Sequence, residues 1–447
     1  MISIKAKLAR SRLNPPAILA LGFGFLIIFG SVLLSLPIAA QSGVSVGFIN
    51  ALFTSASAVC VTGLVVVNTA EFWSLFGKIV IILLIQMGGL GFMTMATLVA
   101  MALGRKINLK ERLTIKEQLN QETLSGMIRL TKYVIYVTFG IESIGAILLA
   151  TRFIPLYGWS TGIGYSLFHA ISAFCNAGFD ILGDSIVPFV GDITINLTLG
   201  SLIVIGGLGF SVYTDYYRNR AFRRLSVHSK LVTFMAGILI VMGAVLFFTI
   251  EFNNPLSIGN LSVGEKMLAS VFQSVVSRTA GFNSVDIGLI RDTSAFLLII
   301  LMYIGGAPGS TAGGVKTTTF GVLAVTAIST IKGDQDVVIF RKRISEDVIK
   351  KSLSIVFISI SWIIITAFIL TITEEMVFLD LLFETTSAFA TVGLSRGVTF
   401  FLSPMGKFII TLTMYIGRVG PLTLAFALSR SKGNKKFRYS EGNIIVG

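Results

Sequence analysis

Four short strings in this chain are built alike: Val61-Thr62-Gly63, Asn176-Ala177-Gly178, Thr279-Ala280-Gly281 and Thr391-Val392-Gly393. None carries a charge, so each offers a ligand mainly its backbone carbonyls. Carbonyls that converge on one axis can replace the hydration shell of a cation. Turning successive carbonyls inward needs a residue that tolerates positive φ, and glycine does so without steric cost. Each string closes a short amphipathic stretch that opens at Phe53, Phe168, Phe272 or Phe383. A helix there would direct its partially negative C-terminus at the same axis. Both features repel anions, and the chemistry they suit is coordination of a monovalent cation.

The stretches align as one repeated unit: FTSASAVCVTGL from Phe53, FHAISAFCNAGF from Phe168, FQSVVSRTAGF from Phe272 and FETTSAFATVGL from Phe383. A polar residue follows each Phe (Thr54, His169, Gln273, Glu384), and Ser57, Ser172 and Ser387 lie six before the glycine, where the third copy has Val275. A second landmark comes 25, 28, 24 and 24 residues after the glycine: Gly88-Gly89, Gly206-Gly207, Gly305-Gly306 and Gly417-Arg418. Apolar chain lies on both sides of every stretch. Periods of this kind set the architecture. The unit is span, short element, span, and it divides the chain into residues 1–115, 116–226, 227–345 and 346–447.

The spans that position these elements show in the composition. Of 447 residues, 54% are hydrophobic and 13% charged, about half the charge of a soluble domain. No Asp, Glu, Lys or Arg occurs between Arg12 and Glu71, from Ile79 to Gly104, or from Leu231 to Ile250. About 20 apolar residues of helix cross roughly 30 Å of hydrocarbon, so the chain reads as an all-α polytopic membrane protein. A helix of ten residues covers only about 15 Å, so each short element enters and leaves on one side. Irregular backbone at that depth survives only when buried or facing water. The expectation is eight full spans and four re-entrant pore helices around a pseudo-fourfold pore. Paired-half transporters are the other architecture with repeats, but they have two copies and broken full spans.

Most of the 36 Lys and Arg fall in five blocks, at residues 1–12, 105–132, 218–230, 332–351 and 430–438. Glu71, Asp180, Asp184, Asp192, Glu251, Asp286, Asp292, Glu374 and Glu375 occupy the alternate connections. That alternation is the positive-inside rule, and it places both termini in the cytoplasm. It assigns the net charge of +14 to lipid and cytosolic partners and excludes nucleic acid. The basic N-terminus before a long apolar run reads as an uncleaved first span. Cys60 and Cys175 form no disulfide or metal framework.

With its four span–pore-helix–span units, single glycine per tip and NAGF and TAGF strings, essentially the whole chain resembles the Ktr/Trk/HKT superfamily of potassium transporters, most of all the membrane subunit of bacterial Ktr systems. The resemblance implies potassium uptake across the bacterial cytoplasmic membrane through a selectivity filter formed by the four strings. Retention of glycine in all four implies preference for potassium. It further implies a homodimer seated on a cytosolic ring of nucleotide-binding subunits, with the nucleotide on that partner and not on this chain. Sodium dependence is a further possibility that the residues do not show.

The third repeat departs from the others. Gly305, Gly306, Pro308, Gly309, Ser310, Thr311, Gly313, Gly314 and Lys316 interrupt its second span, because proline and repeated glycine disfavour helix. A broken helix with a mid-membrane loop over 305–318 is expected, and the resemblance makes that loop a gate beneath the filter. Gly309 to Thr317 approximates the phosphate-binding pattern GxxxxGK followed by Ser or Thr, but Val315 separates Gly314 from Lys316 and no strand precedes it. Arg418, in the double-glycine position of the fourth repeat, must face water or a partner at that depth. The resemblance points it at the loop, as an electrostatic barrier to cations. Lys316 either bonds the loop or reaches the cytoplasm. Glu142 either pairs with a neighbouring span or faces a subunit contact.

An enzyme is excluded by what is missing. His169 and His228 are the only histidines, and neither has a metal-ligand partner at suitable spacing; His169 is expected to cap or pack a pore helix. A symporter moving sodium with potassium is the rival reading. The lack of inverted twofold repeats argues against it.

Overall fold

The structure is a computed structural model that describes residues 15–91, 94, 113–116 and 127–428. The basic stretches 1–12 and 430–438, and most of 105–132, lie outside the described residues, as does the expected placement of both termini.

In chain order the helices are α1 (Pro15–Leu34), α2 (Phe48–Cys60), α3 (Leu75–Leu90), α4 (Met127–Tyr157), α5 (Trp159–Phe174), α6 (Ile193–Leu208), α7 (Phe210–Asn219), α8 (Val227–Glu251), α9 (Val263–Val276), α10 (Asp292–Tyr303), α11 (Thr317–Lys332), α12 (Glu346–Thr373), α13 (Phe378–Ala390), α14 (Pro404–Val419) and α15 (Pro421–Leu428). A two-stranded antiparallel hairpin, β1 (Val338–Ile339) with β2 (Lys342–Arg343), pairs Val338 with Arg343.

Each repeat opens with one long apolar helix: α1, α4, α8 and α12 are long and apolar enough to cross a bilayer. They turn large apolar side chains outward, including Phe25 and Ile28 on α1 and Phe357 and Phe368 on α12. Water would not tolerate so continuous an apolar exterior, whereas lipid requires it. The chain is a membrane protein.

Each long helix packs against the short helix that follows it, giving α1 with α2, α4 with α5, α8 with α9 and α12 with α13. The short helices run 13, 16, 14 and 13 residues. They are longer than the expected stretches because they begin upstream of the Phe landmarks, yet at 1.5 Å per residue each still falls short of roughly 30 Å.

The second helix of each repeat packs on the short helix of the next: α3 on α5, α6 on α9, α10 on α13, and α14 back on α2. The last contact closes the four repeats into a ring. Side-chain caps hold three of these second helices at their starts, with Ser74, Asp192 and Ser403 accepting from Gly77, Ile195 and Gly406. Each cap satisfies a backbone donor that a helix start leaves open.

The second helices of repeats 1, 2 and 4 stop at Gly91, Gly209 and Gly420, with φ of +83°, +91° and +89°. The interruption expected only in repeat 3 therefore has counterparts in repeats 2 and 4, where α7 and α15 resume after the glycine, and α3 of repeat 1 ends at the same place. Their signal lies in the sequence as a glycine three residues after Gly88, Gly206 and Gly417, where repeat 3 has Pro308.

Candidate ion-coordination site and gate

The four tips meet. A Cβ built on Gly63 would lie 2.5 Å from the Ala177 carbonyl oxygen, one on Gly178 2.6 Å from that of Ala280, and one on Gly281 2.7 Å from that of Val392. One on Gly393 would overlap the carbonyl of Thr62. Each glycine thus faces the preceding residue's carbonyl in the next tip, and the fourth returns to the first. The four strings singled out by sequence come together as a closed ring of uncharged backbone.

The backbone alternates in the same way in every tip. Val61, Asn176, Thr279 and Thr391 have φ of +59°, +62°, +75° and +53°, and the glycines two residues on have +97°, +68°, +69° and +93°. The residue between is not in the positive region. Such alternation brings successive carbonyls to one side of the chain. Sequence reasoning assigned positive φ to the glycines alone. Finding it at three β-branched residues, where it is a genuine outlier, marks strain held by the surroundings, as functional sites often show.

Those surroundings are visible. Gly63 and Gly393 donate N–H to Ser57 and Ser387 at 3.0 and 3.1 Å, while Ser172 donates to the Phe179 carbonyl at 2.7 Å. The serines noted from spacing therefore brace the tips. Behind them, Gly88, Gly206 and Gly417 press on the carbonyls of Val59, Phe174 and Phe389, with no room for a Cβ. His169 packs among Phe153, Tyr165, Phe168 and Phe282 and bonds the Tyr165 carbonyl at 2.7 Å. Buried Glu384 accepts from Ser395 at 2.7 Å and from Thr399, which ties α13 to the chain just after Gly393. Its polarity was seen in the sequence, but not its partners.

The loop between α10 and α11 runs beneath the ring. Its neck is closed by Gly305 N–H to the Val315 carbonyl (2.8 Å) and Thr317 N–H to that of Gly306 (3.1 Å). Ala307 and Thr311 donate to Gly207 and Gly206 at 2.9 and 3.3 Å, and Phe210 donates to Gly309 at 3.1 Å. Thr311 Oγ1 donates to the Phe174 carbonyl at 3.1 Å. Gly313 packs on the Thr391 side chain with no room for a Cβ. Gly309 and Gly314 both have φ of +67°, and Ser310 Oγ donates to Ala307 at 2.7 Å.

Two cations hold this loop. Arg418 donates through Nη1 to the Thr311 carbonyl and through Nη2 to those of Gly88 and Gly89. Its partners are carbonyls, not a carboxylate. Lys316 Nζ donates to Ala312 at 2.7 Å, so it bonds the loop itself. A cavity of about 250 Å³ opens below, lined by Gly89, Gly309, Ser310, Lys316 and Arg418 among others.

Glu142 resolves to the first of its two alternatives. It accepts from Gln86 Nε2 of α3 at 3.1 and 3.2 Å, with Cys175 Sγ 3.5 Å from Gln86 Oε1. Among the described residues no cluster of His, Cys, Asp or Glu could hold a metal ion.

Residues 25–437 match the TrkH family, described as a cation transport protein. The chain is 45% identical to the Ktr system potassium uptake protein B of Bacillus subtilis over 98% of its length and 97% of the relative's. It is 40% identical to the protein of the same name from Vibrio alginolyticus, covering 97% and 95%. With the potassium/sodium uptake protein NtpJ of Enterococcus hirae it shares 39% identity over the full length of both. Its fold is that of the potassium transporter TrkH from Vibrio parahaemolyticus, with a TM-score of 0.71 over 91% of this chain and 84% of that one, at 19% identity. The chain belongs to the TrkH family of cation transport proteins.

Proposed function

We propose that this chain is the ion-translocating subunit of a Ktr-type system and carries potassium into a bacterial cell. One observation carries the reading: four uncharged tips, each with a positive-φ residue two before a positive-φ glycine, close into a ring of mutually facing carbonyls and glycines. Potassium coordinates at Val61, Thr62 and Gly63 and at their counterparts in the other three repeats. The names of the 45% and 40% identical relatives support potassium as the cargo.

The gate is the loop from Gly305 to Lys316, latched by Arg418. Releasing it while its neck stays closed breaks a handful of hydrogen bonds, the neutral ones worth about 0.5–1.5 kcal/mol net and that from Arg418 about 1.5–3. A partner that supplies a few kcal/mol can therefore open it. The chain works as a homodimer on a cytosolic nucleotide-binding ring, in the cytoplasmic membrane with both termini inside. Eight spans, the second of repeats 2, 3 and 4 interrupted, and four re-entrant helices make up the pathway.

Uptake of radiolabelled rubidium into proteoliposomes tests this. Uptake that potassium blocks and sodium spares supports it; a folded protein that moves neither ion, with or without its cytosolic partner, contradicts it. The name of the 39% identical relative favours one second reading, coupled movement of sodium. Stoichiometric entry of labelled sodium with rubidium would establish that reading instead.

A further inference from the structure

Helix α7 leaves the gate region at right angles to the span before it. At Gly209 the chain turns by 91° between α6 and α7. Spanning helices tilt on average about 20° from the membrane normal, so α7 and the turn Phe222–Arg224 run along the membrane plane. The 16 residues of α6 cover about 24 Å, against a hydrocarbon layer of roughly 30 Å. The positive-inside pattern assigns this end of α6 to the cytoplasmic side, so α7 lies at the inner boundary between acyl chains and headgroups.

The side chains there divide sharply. Phe210 and Val212 are buried against the bundle, while Tyr217 and Phe222 are 75% and 45% exposed. Beside them Arg218, Arg220, Arg223 and Arg224 are exposed, and none makes an ion pair with a described residue. The one carboxylate of the segment, Asp215, is already engaged. It accepts from Asn219, from Ser226 N–H at 2.9 Å and from Ser226 Oγ at 2.8 Å, which fastens the turn into α8. Among the described residues, these four guanidinium groups have no countercharge.

We propose that α7 and the turn after it form a headgroup site for an anionic phospholipid of the cytoplasmic leaflet. Guanidinium pairs bidentately with phosphate, exposed aromatics settle at headgroup level, and a basic in-plane helix lies in that interface. A cytosolic protein would also meet these arginines. The in-plane course of the helix and the exposed Tyr217 and Phe222 favour lipid. The site reaches the gate, because α7 begins with Phe210, whose N–H bonds the Gly309 carbonyl. Bound lipid would therefore hold α7 against the loop.

The test is native mass spectrometry of the full-length protein titrated with phosphatidylglycerol or phosphatidylcholine. Wild type should retain the anionic lipid preferentially. A variant carrying R218Q, R220Q, R223Q and R224Q should lose about tenfold or more in retention, since each arginine near the surface contributes measurably. The matching four Arg→Lys changes keep the charge but lose the bidentate fork and should fall between the two, and if the fourfold Gln variant fails to fold, R223Q with R224Q on the exposed turn reads the same effect. Equal retention of phosphatidylglycerol by the Gln variant and wild type, equal retention of both lipids by wild type, or displacement by inorganic phosphate would overturn the proposal. So would Gln variants that keep the lipid but lose a cytosolic partner. None of these readouts depends on ion flux, so failure here leaves the transport reading standing.

Discussion

Arg418 donates a hydrogen bond to the backbone carbonyl of Thr311, joining the second helix of repeat 4 to the middle of the loop that interrupts repeat 3. The same guanidinium reaches Gly88 and Gly89 of repeat 1. Three of the four repeats are thus fastened at one cation below the ring. Thr311 in turn bonds the Phe174 carbonyl, at the end of α5 in repeat 2, so the fastening touches all four.

Removing that cation should loosen the loop. Hydrogen bonds from a charged donor contribute about 1.5–3 kcal/mol, so Arg418→Ala should raise rubidium flux by about tenfold or more. Flux measured in proteoliposomes at matched protein content decides it. Unchanged or lower flux from a folded variant would sink the latch.

Glycines pressed on the carbonyls of the short helices should tolerate nothing larger. Gly206→Ala and Gly417→Ala place a Cβ on the carbonyls of Phe174 and Phe389 and should lower the thermal unfolding midpoint sharply or abolish expression. Gly237→Ala, on a helix face with open space around it, should be neutral or stabilise by up to about 1 kcal/mol. Similar midpoints for all three would show that close packing at these positions is not needed.

The buried pair of Gln86 and Glu142 should be asymmetric to mutation. Gln86→Leu leaves the buried Glu142 carboxyl without its amide donor and should destabilise by about 1–3 kcal/mol. Glu142→Gln keeps an amide-to-oxygen bond and should cost far less. Denaturation midpoints in detergent would compare them, and equal losses would rule out the pairing as the source of stability.

Glu384 should matter to selectivity more than to affinity. Its carboxylate holds Ser395 and Thr399, just after Gly393. Glu384→Ala should make rubidium uptake several-fold more sensitive to sodium while half-saturation by potassium changes little. Competition curves that shift equally for both ions would show a general loss of folding instead.

Much of this arrangement is legible in the sequence. The four tips, Ser57, Ser172 and Ser387, the interrupted second span of repeat 3 and the depth of Arg418 all follow from spacing, because a repeated unit imposes one geometry four times. The positive φ of Val61, Thr279 and Thr391 was not legible. Local propensity argues against it, and it is held by helix-end bonds, such as Val61 and Thr391 N–H to the Ala58 and Ala388 carbonyls, together with the serine braces. The glycine stops at Gly91, Gly209 and Gly420 carried a signal in the third residue after each landmark, but a lone glycine in an apolar helix reads as packing. The partners of Arg418 and Glu142 come from other repeats, and no single-chain pattern specifies contacts across the ring.

The most direct test of the central claim is rubidium uptake by wild type and Gly281→Ser, each competed by potassium and by sodium. Gly281 has φ of +69°, and a Cβ there lies 2.7 Å from the Val392 carbonyl, so serine must distort the ring where tips 3 and 4 meet. The account predicts that potassium blocks wild-type uptake far better than sodium does, and that this preference collapses in the variant. Uptake in Gly281→Ser with wild-type preference would contradict a selectivity filter at these four tips.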